Sequence, residues 1–250
     1  MHDFSRIDGE ELVVLVDDDG RELGTATKSD VHHDATPLHL GFSCYVFDAD
    51  GLVLMTRRAL GKRTWPGVWT NSFCGHPGPG EAISAAVHRR ARQELGLTID
   101  FLTCVLPDFR YRAIAADGTV ENELCPVFCA VATGPVRPSA DEVMDHGWVS
   151  WGAVRSAAEL RWAISPWAAD QIPLLEAAIH EDRGQSSSVN SAMPIRGCHR
   201  RAVAPPRCTS DRLSFSSVSS HFSSSPAVML TVSRNSCQVS SSAIVSLRST

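Results

Sequence analysis

Five side chains are of the types that hold metal ions, and their spacing is suggestive. His32 and His39 flank Asp34-Ala35-Thr36-Pro37 in a loop that should lead into a strand. His76 follows Cys74 by two residues, and Glu121 precedes Glu123 by two. Alternate residues of an extended chain point to one side, so Glu121 and Glu123 share a face of their strand. Cys74 and His76 do the same if that stretch is extended. Three imidazoles and two carboxylates suit Mn2+, Fe2+ or Zn2+, with one coordination position left open. Each residue alone is weak: a lone His is more often a surface or core side chain, and a lone Glu is usually solvated. A second set runs from Gly75 through Glu81, Arg89 and Glu94 to Gly96 and Leu97. Within it Arg90 and Glu94 lie one helical turn apart, so both can face one ligand.

These side chains need a scaffold, and the sequence reads as mixed α/β (α+β). Residues 12–16 form an apolar run closed by Asp17-Asp18-Asp19-Gly20, a strand and a turn. Residues 39–47 and 52–56, joined through Asp48-Ala49-Asp50-Gly51, make a hairpin. Across residues 81–95, Ile83, Ala86, Val87, Ala91 and Leu95 recur with helical spacing, and Gly96 stops the helix. Strands are expected at 101–105, 109–113, 120–132 and 146–150, and a last helix at about 166–180. No internal repeat is present.

Composition divides the chain near residue 183. Residues 184–250 carry seven Arg and one acid, Asp211, a net +6, which leaves −11 on residues 1–183. So acidic a body argues against a broad nucleic-acid face, and any anion site within it must be a local basic pocket. The tail is rich in Ser and poor in apolar residues. It buries too little surface to offset its ordering entropy and is expected to be disordered; a shifted reading frame at the gene end gives the same Ser/Arg/Cys richness. The expected division is therefore a folded domain over 1–183 and a tail over 184–250. The eight Cys residues form no CxxC pair, which argues against a disulfide framework. No run reaches the length of a membrane span, and Met1-His2-Asp3-Phe4 lacks the features of a signal peptide, so the cytoplasm is the expected location.

The spacing from Gly75 to Leu97 resembles the Nudix box, a loop–helix–loop whose carboxylates hold divalent cations on a diphosphate. Hard Mg2+ prefers oxygen ligands and shares them with substrate phosphates. Hydrolases of that family carry Glu after the box Arg and a later Glu-Glu pair. Here those positions are Arg90 and Gln93-Glu94, so two carboxylates are lost and a cation is gained. A site changed in this way should bind diphosphate and cleave it poorly. Further segments extend the likeness: His39-Leu40-Gly41-Phe42-Ser43, Thr56-Arg57-Arg58-Ala59-Leu60, Trp65-Pro66-Gly67-Val68-Trp69-Thr70-Asn71-Ser72, Cys74-Gly75-His76-Pro77, Tyr111-Arg112-Ala113 and Glu121-Asn122-Glu123-Leu124-Cys125-Pro126-Val127. Together they resemble the type I isopentenyl-diphosphate isomerases over residues 13–177, leaving the tail outside the pattern.

The resemblance implies a Nudix fold, a mixed β-sheet flanked by helices. It implies interconversion of isopentenyl and dimethylallyl diphosphate, in isoprenoid biosynthesis, by protonation and deprotonation through a tertiary carbocation. By position Cys74 matches the catalytic thiol and Glu123 the catalytic carboxylate, on opposite faces of the alkene. Tyr111 matches a tyrosine that hydrogen-bonds near that carboxylate, and Trp167 the aromatic facing the cation, although from sequence alone plain packing is the better account of a Trp near a helix start. Lys28, Arg58, Lys62 and Arg90 match diphosphate-binding positions, with Arg57 a weaker candidate. His32, His39, His76, Glu121 and Glu123 would hold one divalent metal, Mn2+ or Zn2+. Glu94, with the backbone carbonyl of Cys74, would hold Mg2+ on the diphosphate. The expected partner is the small-molecule substrate, with no nucleic acid or membrane, in a monomer or weak homodimer. The rival readings are a Nudix pyrophosphohydrolase and an inactive metal- or diphosphate-binding protein.

Overall fold

The computed structural model describes residues 6–7, 10–186, 228–233 and 244–249, with side chains described over 11–179. In chain order the elements are β1 (Arg6–Ile7), β2 (Glu10–Val16), β3 (Glu22–Thr27), α1 (Lys28–Val31), β4 (His39–Leu40), β5 (Phe42–Phe47), β6 (Val53–Arg58), β7 (Trp69–Thr70), β8 (Phe73–Gly75), α2 (Ile83–Leu95), β9 (Ile99–Leu106), β10 (Arg110–Ile114), β11 (Val120–Leu124), β12 (Val127–Ala132), β13 (Val143–Val149), α3 (Trp151–Glu159), α4 (Pro166–Ser186), β14 (Val228–Ser233) and β15 (Ile244–Ser249).

Two mixed sheets carry the body. One runs β1-β2-β4-β11-β10 with β3 on β2; the other runs β13-β6-β5-β12-β9 with β7 on β6 and β8 on β5. The second sheet is covered on both faces. Along β5, Phe42, Cys44 and Val46 pack with Ala86, Val87, Ala91 and Leu95 of α2. Tyr45 and Phe47 pack the other way, with Trp151 and Val154 of α3 and Trp167, Ile172 and Leu175 of α4. Every residue of β5 is therefore buried, as strands covered on both faces are.

The two sheets share chain. The sequence suggests single strands over 39–47 and 120–132, but each breaks in the middle. Gly41 divides β4 from β5, and Cys125-Pro126 divides β11 from β12. Proline gives the ladder no N–H donor, which favours a break there. On one side of the breaks β11 lies parallel to β4, pairing Glu123 with His39. On the other, β12 lies parallel to β5, pairing Val127 with Ser43. Both chains thus step from one sheet to the other at the same level, and the candidate site lies at this crossing.

The helix expected over 81–95 begins at Ile83 and ends at Gly96, whose φ is +56°. Gly96 N–H donates to the Arg92 carbonyl and Leu97 N–H to that of Ala91, a left-handed cap that satisfies the last turn. The last helix extends to Ser186. Helix α3, which the reading of elements passed over, is capped by the Ser150 hydroxyl, which accepts from Ala153 N–H. Within the segment expected to be disordered, residues 184–186 end α4 and β14 and β15 pair antiparallel; the rest of it lies outside the described residues. Among the described residues no helix is long and apolar enough to cross a membrane.

Candidate active site and metal centre

His32 ends α1, His39 opens β4, His76 follows β8, and Glu123 lies in β11. Their ligand atoms all fall within 4.8 Å of one another, and all four residues are buried. Burying so many polar atoms is costly unless something satisfies them. Yet His32 Nε2, His39 Nε2, His76 Nδ1 and Glu121 Oε2 have no hydrogen-bond partner. The other nitrogens are fixed: His32 Nδ1 faces the Lys28 carbonyl at 3.3 Å and His39 Nδ1 the Pro37 carbonyl at 3.0 Å. A proton held on Nδ1 leaves the Nε2 lone pair for a cation, the arrangement found at metal-bound histidines. Glu121 joins the edge of this group, with Oε2 3.0 Å from His32 Nε2 while its Oε1 accepts from the Thr64 hydroxyl at 2.7 Å. Converging orphan atoms of this donor set fit a divalent cation.

Glu123 is the centre of the cluster's charge. Its Oε1 lies 3.1 Å from His76 Nε2 and 3.7 Å from His39 Nε2. Burial alone would raise its pKa, but His39 and His76 outweigh that and hold the carboxyl well below the usual range. Burial takes the His76 imidazole down to about 4 despite Glu123. For His39 burial also pulls downward, and there Glu123 prevails, leaving it above the ordinary value. Room for Glu123 comes from Gly41: a Cβ there would lie 2.3 Å from Glu123 Oε2. The Nudix-box pair Glu81–Arg89 acts nearby. Arg89 binds Glu81 at 2.7 Å and donates to the His76 carbonyl at 3.0 Å, tying α2 to the segment that carries this ligand.

Beside the metal cluster lies a thiol and a group of rings. Cys74 is in β8, and burial pushes its thiol up to about 11, against a smaller downward pull from the Ser43 hydrogen bond. At neutral pH it is therefore S–H while Glu123 is ionised. Tyr111 is paired in register with Glu123 across β10 and β11. Burial, then the charge of Glu123, keeps its hydroxyl protonated, far above the usual range. The Trp167 ring lies 5.6 Å from Tyr111 and 5.3 Å from Trp65. The Arg58 guanidinium sits 5.4 Å from the Trp167 ring centre, so this aromatic surface already attracts a cation.

A cavity of about 380 Å³ opens next to this group, lined by Glu11, Lys28, Ser29, His32, Arg58, Lys62, Arg63 and Thr64. Three of the expected phosphate-binding cations, Lys28, Arg58 and Lys62, are on its wall. Arg90 stands behind them, with its guanidinium on Glu94 Oε1 at 2.5 and 2.9 Å and on Glu142 Oε1 at 3.1 Å. Gly75 makes room for it, since a Cβ there would meet Arg90 Cγ at 2.7 Å. Arg57 is turned away to the Gly67 carbonyl. Lys62 is bound to Glu142, and burial takes its ammonium down to about 8. Glu94 is buried; that burial opposes ionisation, and Arg90 and Lys62 overcome it.

Sequence reading missed several members. Glu11 pairs with Lys28 at 2.8 Å, and that pairing outweighs burial to bring its carboxyl down to about 2. Glu142, Arg63 and Thr64 also belong to the cavity and its supports, and Ser43, Asn71 and Gln171 lie behind the thiol. These are single polar residues without a motif of their own. Of these, Ser43 and Asn71 belong to the segments that carry the family resemblance, where nothing singles them out.

A family model described as NUDIX domain matches residues 37–174, more than half of the chain. An isopentenyl-diphosphate Delta-isomerase of Mycolicibacterium vanbaalenii is 67% identical over 171 residues, 68% of this chain and 94% of that protein. Proteins of the same name from Clavibacter michiganensis subsp. michiganensis and Frankia alni are 56% and 57% identical, covering 74% and 70% of this chain and 96% and 90% of theirs. Among solved structures, that of DR0079 from Deinococcus radiodurans superposes with a TM-score of 0.52 at 15% identity, covering 67% of this chain and 99% of that one, a likeness of fold. A fold of two crossing mixed sheets, the box helix α2 against them and identity sustained along the whole body agree: the chain belongs to the NUDIX-domain family and, within it, to the isopentenyl-diphosphate Delta-isomerases.

Proposed function

We propose that the protein interconverts isopentenyl diphosphate and dimethylallyl diphosphate, with Cys74 and Glu123 as the proton-transferring pair. The observation that carries this reading is their placement. Cys74 comes from one sheet and Glu123 from the other, and Glu123 shares the buried cluster with His32, which lines the cationic cavity. An alkene lying between the sheets meets a different proton-carrying group on each side. The reaction adds a proton to the terminal carbon of the double bond, leaving a tertiary cation, and removes one from the carbon on the other side. One group gives a proton while the other takes one, so the pair must rest with one proton between them. A protonated thiol beside an ionised carboxylate meets that requirement.

Tyr111, protonated and in register with Glu123, would hydrogen-bond near the carboxylate, a role its pairing supports. The Trp167 ring faces the cation; a desolvated cation over an indole gains about 2 kcal/mol. Packing around that ring by Trp65 and Tyr111 keeps out the water that would trap the cation as an alcohol. Lys28, Arg58 and Lys62 bind the diphosphate from the cavity wall, with Arg90 supporting them. His32, His39, His76, Glu121 and Glu123 would hold Mn2+ or Zn2+, and Glu94, with the Cys74 carbonyl, Mg2+ on the diphosphate. Such cations fix the geometry of their ligands and offset the diphosphate's charge.

A pyrophosphohydrolase is disfavoured because the Arg90 guanidinium occupies Glu94 where hydrolases gather carboxylates. The testing experiment incubates the protein with isopentenyl diphosphate and Mg2+ and follows the acid-labile allylic product. Its absence, with phosphate released from nucleoside diphosphates instead, would overturn the reading. Tight substrate binding without turnover would point to an inactive binding protein.

A further inference from the structure

The thiol and the indole share one polar anchor. Asn71 lies in the bend between β7 and β8 and is fully buried. Its Nδ2 donates to the Cys44 carbonyl at 3.1 Å and the Phe73 carbonyl at 2.7 Å. Two carbonyls around one end of an amide identify that end as the nitrogen. The Oδ1 end therefore faces donors, and it has three: the Cys74 thiol at 3.2 Å, the Trp167 Nε1–H at 3.1 Å and the Thr70 hydroxyl at 2.8 Å. They come from β8, α4 and β7; α4 lies more than ninety residues along the chain from the other two.

On its other side the thiol meets Ser43, whose Oγ is 3.4 Å from Cys74 Sγ. Ser43 is itself held. Tyr45 O–H donates to Gln171 Oε1 at 3.0 Å, which turns Gln171 Nε2 onto Ser43 Oγ at 2.9 Å. The Ser43 hydrogen is then left for sulfur, with Cys74 Sγ at 3.4 Å and Cys125 Sγ at 3.5 Å. An otherwise rotatable thiol is thus clamped between Ser43 and Asn71, and the indole that faces the cation is pinned to the same amide oxygen. The Nδ2 half of Asn71 ties the bend through the two carbonyls. The Oδ1 half has a separate task.

We propose that Asn71 is a positioning residue whose Oδ1 sets the Cys74 thiol and the Trp167 ring relative to one another, keeping the proton-transferring group in register with the ring facing the cation. The proposal rests on the isomerase reading. Misplacing a reacting group by about 1 Å costs on the order of 100-fold in rate without weakening binding at a remote anchor.

Two variants separate the halves of the side chain. Asn71→Leu removes both ends; Asn71→Asp keeps an oxygen at Oδ1 and replaces the Nδ2 donor, at the cost of burying a carboxyl there. Asn71→Leu is expected to lower kcat on the order of 100-fold, with KM for isopentenyl diphosphate and metal content as in the wild type. Asn71→Asp should restore at least about tenfold of that loss. A residue that only holds the bend would lose activity equally in both, and equal kcat in the two variants, or wild-type kcat in Asn71→Leu, overturns the proposal. Should Asn71→Leu fail to fold, the wild type can still overturn the proposal. Its Trp167 indole N–H, assigned by its disappearance in Trp167→Phe, should exchange with solvent far more slowly than that of Trp162, which is 83% exposed. Equal exchange rates would mean that the bond to Asn71 is absent. Wild-type turnover tests the isomerase reading separately, because the exchange measurement needs no substrate.

Discussion

Residue by residue, the site pairs groups whose surroundings drive their protons apart. Burial keeps Cys74 protonated, while His39 and His76 keep Glu123 ionised. Cys74→Ala and Glu123→Gln should each abolish isomerisation, because each removes one of two obligatory proton transfers. Circular dichroism should show the fold retained, and more than a few per cent residual turnover in either variant would contradict the assignment. Glu121 and Glu94 lie in different clusters, one beside His32 and the other under Arg90. Glu121→Gln should therefore lower the tightly bound metal found by elemental analysis, and Glu94→Gln should mainly weaken diphosphate binding. Equal metal loss from both would mean a single site. Lys62 gives the cavity its pH dependence. Its ammonium is charged below about 8 and neutral above, because burial depresses it. The affinity of the free protein for inorganic diphosphate should accordingly fall as pH rises through about 8. In Lys62→Arg, whose guanidinium stays charged, that fall should disappear from a calorimetric titration.

Among the elements, α2 and the two strand breaks do most to aim the site. Helix α2 carries Arg89 toward the His76 segment, and Arg90 and Glu94 beneath the cavity, so its register matters more than its bulk. Gly96 ends it at a φ of +56°, and a Cβ there would lie 2.9 Å from the Arg137 carbonyl oxygen. Gly96→Ala should cost at least about 1–2 kcal/mol in chemical denaturation, from the left-handed backbone alone. Gly41 has another task, since its missing side chain is the space that Glu123 fills. At both ends the helix and strand signals were plain in the sequence, in the 3.6-residue spacing of Ala86, Val87, Ala91 and Leu95 and in the apolar run of β5. Helix α3 carried a similar signal, with Trp151, Val154 and Ala158 buried three and four residues apart. Its shortness and its Gly152 weakened that signal against the strand before it.

Across the whole molecule, the acidic body contains every residue assigned to the site, and the basic segment after it contains none. A chain ending at Ser186, the last residue of α4, should match the full chain in turnover and in Tm at moderate salt. Any loose attraction between a +6 segment and a −11 body should fade as salt rises. A stability loss above about 1 kcal/mol, beyond the usual effect of changes away from packed features, or a collapse in turnover, would show that β14 and β15 support the body.

The linear sequence determined the family, the α2 box and the candidate ligands, because those depend on residue type and short spacing. The two-residue step from Glu121 to Glu123 puts both on one strand face whatever surrounds them, and Glu94 follows Arg90 by one turn in any helix. Tertiary structure decided what lies between distant segments. Breaks at Gly41 and Cys125-Pro126 were hidden within continuous strand patterns, because a strand that changes sheets keeps its alternation. That change is what brings His39 level with Glu123. Ser43, Asn71 and Gln171 are unremarkable polar residues in sequence. They converge behind Cys74 only because β5 pairs with β8 and α4 packs across β5. Pairing partners of this kind are set by the burial of whole faces, a property that no short window of sequence contains.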